Sequence, residues 1–132
     1  MLHPKQFEVN EAWIVCRLNS APIRTESDGD FDCIALMDAG SCFMLCSELV
    51  PSTAEGPTRA QFQRLLKIAQ SHKQQLPKTL FIPRGDVADL MAGEAKRQNI
   101  EVVRVPESEL LIYTSEAREA FAEQFEDSRG DA

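Results

Sequence analysis

The chain has 132 residues, of which 43% are apolar and 27% charged, and carries a net charge of -7. This length and balance predict one domain that buries a core without disulfide or metal support, with disorder confined to its ends. The excess of acid argues against non-specific binding to nucleic acid or anionic membrane, which clustered Lys and Arg would drive.

The first residues, Met1-Leu2-His3-Pro4-Lys5, lack the apolar core of a signal peptide, and no apolar run is long enough to span a bilayer. The expectation is a cytoplasmic protein. Residues 12–18 are β-branched and aromatic enough for a first strand, which Asn19-Ser20-Ala21-Pro22 ends. Residues 24–30 read as a polar loop. Residues 31–37 form a second strand, apolar on both faces apart from Asp32 and therefore central. The glycine turn Asp38-Ala39-Gly40 leads into a third strand at residues 41–45, so these two strands form a hairpin whose outer member is a candidate sheet edge.

The pattern breaks over residues 50–57. Thr58 then caps a helix in which Phe62, Leu65, Leu66, Ile68 and Ala69 make an apolar stripe ending near His72. Residues 78–104 carry a β-α-β unit: strand Thr79-Leu80-Phe81-Ile82, turn Pro83-Arg84-Gly85-Asp86, a helix with Val87, Leu90, Met91 and Ala95 on one face, a stop at Asn99, and a strand through Val102 and Val103. Beyond Pro106 a last helix starts at Ser108-Glu109, with a bend expected near Thr114-Ser115. Residues 1–126 make the domain and 127–132 a polar tail.

The fold class is therefore mixed α/β, in the order βββαβαβα. A three-stranded antiparallel meander is followed by right-handed β-α-β units, giving a mixed sheet with helices on its faces. Open sheets hold ligands at the carboxyl ends of their strands, and Arg84, Gly85 and Asp86 stand at such an end. They are the candidate ligand-binding residues. Asp86 also suits a helix cap.

Other groups carry less. Asp28, Asp30 and Asp32 alternate like the start of a calcium loop, but Cys33 and Ala39 fall where the loop needs glycine and a bidentate glutamate. Cys16, Cys33, Cys42 and Cys46 lie in apolar segments and read as buried thiols of a reducing compartment. Cys42 and Cys46, four apart in one strand, would stand roughly 13 Å apart, too far to share a zinc. His3 and His72 sit in a polar leader and at a helix end, and Trp13 and Tyr113 read as core residues. Arg84-Gly85-Asp86 and Arg129-Gly130-Asp131 spell an adhesion tripeptide, expected to be coincidence, the first copy being better explained as a turn and helix cap. No cofactor motif and no metal centre are expected.

The element order resembles the ribonuclease-H-like fold over nearly the whole chain. Enzymes of that fold hold two divalent ions on carboxylates from the first strand, the first helix, the end of the fourth strand and the last helix. Here the first strand offers Val15 and Arg17, and the first helix Gln63, Leu66 and Gln70. Asp86 alone matches a required place, with Glu116, Glu119 and Glu123 as candidates in the last helix. The resemblance thus implies an inactive or repurposed version. Residues 76–125 are also similar in texture to uncharacterised bacterial domains.

The function expected is a small non-catalytic binding or interaction module with a protein partner or a second copy. The alternatives are a metal-assisted, nuclease-like hydrolase built around Asp86 and carboxylates that come together in the fold, such as Asp38 and Glu119, and a small-ligand sensor centred on Asp86.

Overall fold

The computed structural model describes residues 2–19, 23–24, 27, 29–51, 58–73, 75–84 and 88–130, and their side chains except at 73, 88–90 and 124–130. Strand β1, Ala12–Arg17, is buried at every residue but the last. Alternation sends Trp13 and Val15 to one face and Ile14 and Cys16 to the other, and each face meets its own apolar cluster. A strand apolar on both sides has to lie inside a sheet, and β1 does.

On one edge β1 pairs antiparallel with β3, Asp30–Asp38, in the register Trp13 to Asp38 and Arg17 to Ile34. On the other it pairs parallel with β5, Thr79–Pro83, which pairs parallel with β6, Glu101–Val105. Strand β4, Met44–Pro51, covers the far edge of β3. The short β2, Ile23–Arg24, pairs with Phe31 and Asp30. Phe31 also pairs with Pro51 on the β4 side, so β2 lies on the β1 edge of β3. Spatially the order is β4, β3, β1, β5, β6. The mixed sheet expected from the sequence is present.

Helix α1, Arg59–Lys73, and helix α2, Ala88–Arg97, cover the Trp13 face. Phe62, Leu65, Leu66 and Ala69 of α1 pack with Met91, Ala92 and Ala95 of α2 onto Val15, Leu80 and Ile82. Each large apolar side chain buried there contributes about 2 kcal/mol. Thr58 caps α1 as the sequence predicts. Its Oγ1 accepts from the Gln61 N–H at 3.1 Å, and Gln61 Oε1 accepts in return from the Thr58 N–H at 2.9 Å. Asn99, at φ 63°, takes the left-handed conformation that stops α2. Glu94 is buried between the helices and accepts from Arg59 Nε and Gln63 Nε2, each at 3.2 Å.

The opposite face is covered by a 3₁₀ turn, Glu107–Leu110, and helix α3, Leu111–Gly130. Leu110 and Tyr113, with Ala117 and Phe121, pack onto Ile14, Cys16 and Phe81. Helix α3 runs unbroken through Thr114-Ser115, and the Thr114 hydroxyl donates to the Leu110 carbonyl inside the helix. No helix among the described residues is long and apolar enough to cross a membrane.

The third strand begins later than expected and runs on to Pro51. Residues 39–43 form a turn held by Asp38, whose carboxylate accepts from the Ser41 N–H and hydroxyl. Cys42 sits in that turn at φ 61°. Within this edge strand Ser47 is exposed and Glu48 half-buried, on opposite faces. The Cys33 carbonyl and N–H both face β1, bonding Leu18 and Asn19. Leu49 opposite therefore points its own backbone outward, where Gln61 Nε2 donates to its carbonyl. Pro51 brings no N–H. The β4 edge is thus partly blunted against strand addition.

Candidate functional site

The parallel register of β1 and β5 ends at Ile14 and Phe81, although β1 runs on to Arg17 and β5 to Pro83. Since Leu18 turns its N–H toward β3, Arg17 turns its carbonyl toward β5. No strand partner takes it. Instead Arg118 of α3 reaches in and donates from Nε to that carbonyl at 2.9 Å, while its other arm pairs with Glu107. A side chain therefore stands where a ladder bond would be, and the two strands part at their carboxyl ends. This parting is where open α/β sheets place ligands.

Three residues beyond the last pair, Arg17 and Arg84 stand level on the two strands. Both continue the rows of Val15 and Ile82, so both belong to the face covered by α1 and α2. Both are exposed, and neither guanidinium has a hydrogen-bond or ion-pair partner among the described residues. The Arg84 N–H is tied to the Val105 carbonyl at 2.8 Å, which fixes its backbone. Beyond β1, buried Asn19 donates to Asp32 at 2.9 Å and accepts from the Cys33 N–H at 2.8 Å. The end of β1 is thereby pinned to β3.

Of the candidate ligand residues, Arg84 is at this parting, and Gly85 and Asp86 lie outside the described residues. Asp38 is elsewhere. Because β3 runs antiparallel to β1, its last residue lies beside Trp13, level with Leu80 at the start of β5. It is fully buried, with Oδ1 accepting from the Asn10 N–H at 2.7 Å and Oδ2 from Ser41. Asp38 thus lies at the opposite end of the sheet from Arg84.

Gln63 is bonded to Glu94, Leu66 is core, and Glu119 and Glu123 are exposed. Among the described residues no three His, Cys, Asp or Glu side chains gather as metal ligands. Val15, Arg17 and Arg84, and the Gln63, Leu66 and Gln70 of α1, do not fit the pair of divalent ions that this fold's enzymes hold. A guanidinium repels a cation where a carboxylate would bind it.

The cysteines divide. Cys16 and Cys33 are buried as expected, Cys46 is partly buried and Cys42 is exposed, because its residue belongs to the turn and not to a strand. Burial pushes the Cys16 thiol up to about 12 against a smaller opposing pull from Arg118, and pushes Cys46 up to about 11. At the amino end of the sheet Cys42 borders an open groove of about 430 Å³ with His3, Leu111, Ile112 and Glu116. Its thiol is raised by burial, then by Glu116 and Asp38, the reverse of what a nucleophile needs. The buried Tyr113 hydroxyl has no hydrogen-bond partner among the described residues.

Sequence reading singled out Arg84 and noted Arg17 only as the residue standing where a carboxylate was wanted. Arg118 carried no local signal, since its partner carbonyl is 101 residues away.

The chain is similar in structure to the catalytic core domain of BIV integrase, with a TM-score of 0.60 and 12% identity over 93% of this chain and 74% of that one. It is also similar to a chain in a structure of the simian T-cell lymphotropic virus intasome in complex with PP2A regulatory subunit B56 gamma, with a TM-score of 0.52 and 12% identity over 80% of this chain. The match spans 33% of that second chain. No protein-family model matches the sequence. No curated protein matches it significantly. The integrase catalytic cores have a ribonuclease-H-like fold, and so does this chain. At this identity the likeness is one of fold.

Proposed function

We propose that the chain is a ribonuclease-H-like domain that works by binding, with the parted carboxyl ends of β1 and β5 as its binding end. One observation carries this reading: two unpartnered arginines, Arg17 and Arg84, flank the position where the fold's nucleases hold metal on carboxylates. Nuclease chemistry there needs clustered negative charge to hold the ions, and the described residues supply positive charge. Binding needs only a fixed frame and free donors. Asn19, Arg118 and the Arg84 backbone bond make the frame.

A titration of the labelled full chain with Mn²⁺, followed by amide resonance broadening, tests the reading together with a Mn²⁺-dependent nuclease assay. Weak broadening scattered over the acidic surface and no cleavage are expected. Broadening focused at the ends of β1 and β5, with cleavage that Asp86→Ala abolishes, would overturn it in favour of a metal-assisted hydrolase centred on Asp86. That second reading draws its support from the likeness to integrase catalytic cores. An Asp86 that only caps α2 would cost about 1 kcal/mol of stability on replacement and leave metal behaviour unchanged.

A further inference from the structure

Resting on the reading that the carboxyl ends of β1 and β5 form the binding end, we propose that Arg17 and Arg84 make a metal-free receptor for a phosphomonoester. The chain has 14 basic against 21 acidic side chains. In such a protein an arginine finds a carboxylate easily, as Arg59 finds Glu94 and Arg118 finds Glu107. Arg17 and Arg84 stand level on neighbouring strands, with no partner among the described residues for either guanidinium. Two like charges placed side by side repel, and a bound dianion relieves that repulsion.

The shape suits the charge. The strands part beyond Ile14 and Phe81, and Arg118 closes the opening from the α3 side, its own charge largely answered by Glu107. What remains at these strand ends is a pair of exposed guanidinium forks on one face of the sheet. Helix α2 runs back from this end of β5, adding the positive end of its dipole to the same region.

Ligand class follows from counting acceptors and charge. A carboxylate has two oxygens and one charge, which a single guanidinium fork satisfies. A phosphomonoester near neutral pH has about 1.5 to 2 negative charges and three terminal oxygens, enough for two forks at once. A nucleic-acid phosphodiester has one charge per phosphate, and its flanking phosphates would meet a chain of charge -7. The two forks therefore favour a small, doubly charged phosphoryl group.

The test is calorimetric titration of the full chain with phenyl phosphate in the presence of a chelator, beside acetate and a short single-stranded oligonucleotide. Phenyl phosphate should bind more tightly than either. Arg17→Gln and Arg84→Gln should each weaken it at least about tenfold, while Lys96→Gln on the exposed side of α2 should leave it unchanged. Both arginines are exposed, so unchanged thermal unfolding of the variants serves as the folding control. Equal binding of acetate, tighter binding of the oligonucleotide, or losses that do not follow the arginines would overturn the phosphomonoester assignment alone. Phosphate binding that appears only with Mn²⁺ would overturn both this assignment and the binding-module reading.

Discussion

At the amino end of the parallel strands the buried Asp38 and Asn10 side chains are answered, whereas at the carboxyl end two arginine charges are left open among the described residues. Asp38, with no exposed surface, takes the Asn10 N–H on one oxygen and the Ser41 N–H and hydroxyl on the other. Asn10 in turn accepts from Trp13 Nε1 at 2.8 Å and donates to the Gln75 carbonyl. Gly40 lies so close to the preceding segment that a Cβ there would sit 2.6 Å from the Glu8 carbonyl oxygen. At the other end the strands part, a side chain replaces a ladder bond, and two guanidinium groups face water. A closed network serves stability. An open one contributes little to it.

The sharpest way to break this contrast is Asp38→Ala. It strips three hydrogen bonds from a buried carboxylate and leaves the Asn10 N–H without its acceptor, a loss of about 3 kcal/mol or more. The urea midpoint should fall with little change in slope, because the surface exposed on unfolding stays nearly constant. Arg17→Gln should move the same midpoint by no more than about 0.5 kcal/mol, as an exposed side chain without partners. If the two variants unfold alike, the division between a structural end and a binding end fails.

Much of this frame was legible in the sequence, for reasons that separate local from distant signals. The Thr58 cap, the stop at Asn99 and the alternation of Trp13, Ile14, Val15 and Cys16 are local patterns, and the structure reproduces them. The error at the third strand arose because residues 41–43 look extended by composition. Their conformation is set instead by the Asp38 carboxylate folding back onto Ser41. Asp38 was a poor partner for a hydrolase centre for a topological reason, since an antiparallel neighbour of β1 ends where β1 begins. The parted strand ends were not readable at all. They depend on Arg118 meeting a carbonyl across most of the chain, and no spacing rule encodes that contact.

A second difference between regions lies in the thiols and can be read by pH. The Cys16 thiol is pushed up to about 12 in the folded chain, chiefly by burial, from an ordinary value of 9.0. Below about pH 9 both folded and unfolded chains keep the proton, and the stabilising effect is fully present. Between about 9 and 12 the unfolded thiol loses its proton while the folded one keeps it, so stability should fall by about 1.4 kcal/mol per pH unit from this group. Unfolding midpoints measured from pH 8 to 10.5 should decline, and Cys16→Ala should flatten the decline. Exposed Cys42 should be alkylated in the folded protein at a modest rate that rises with pH, with Cys16 protected until unfolding.

Arg118→Ala should give a small change in stability and the most informative one. Its pair with Glu107 is largely solvated, with Glu107 54% exposed, so screening leaves the ion pair worth no more than about 1 kcal/mol. The bond to the Arg17 carbonyl is different in kind, because it stands in for the strand neighbour that β1 has lost. Without it β1 and β5 are free either to zip together or to part further, and either movement displaces Arg17 relative to Arg84. Amide hydrogen exchange at residues 15–18 should therefore change by more than the stability loss accounts for, while exchange around Asn10 and Asp38 stays as it was. Arg118→Lys keeps the charge but not the fork, so it should restore stability without restoring the exchange pattern. Restoration of both by lysine would mean that charge alone sits at the parting, and that the strand ends are held open by other contacts.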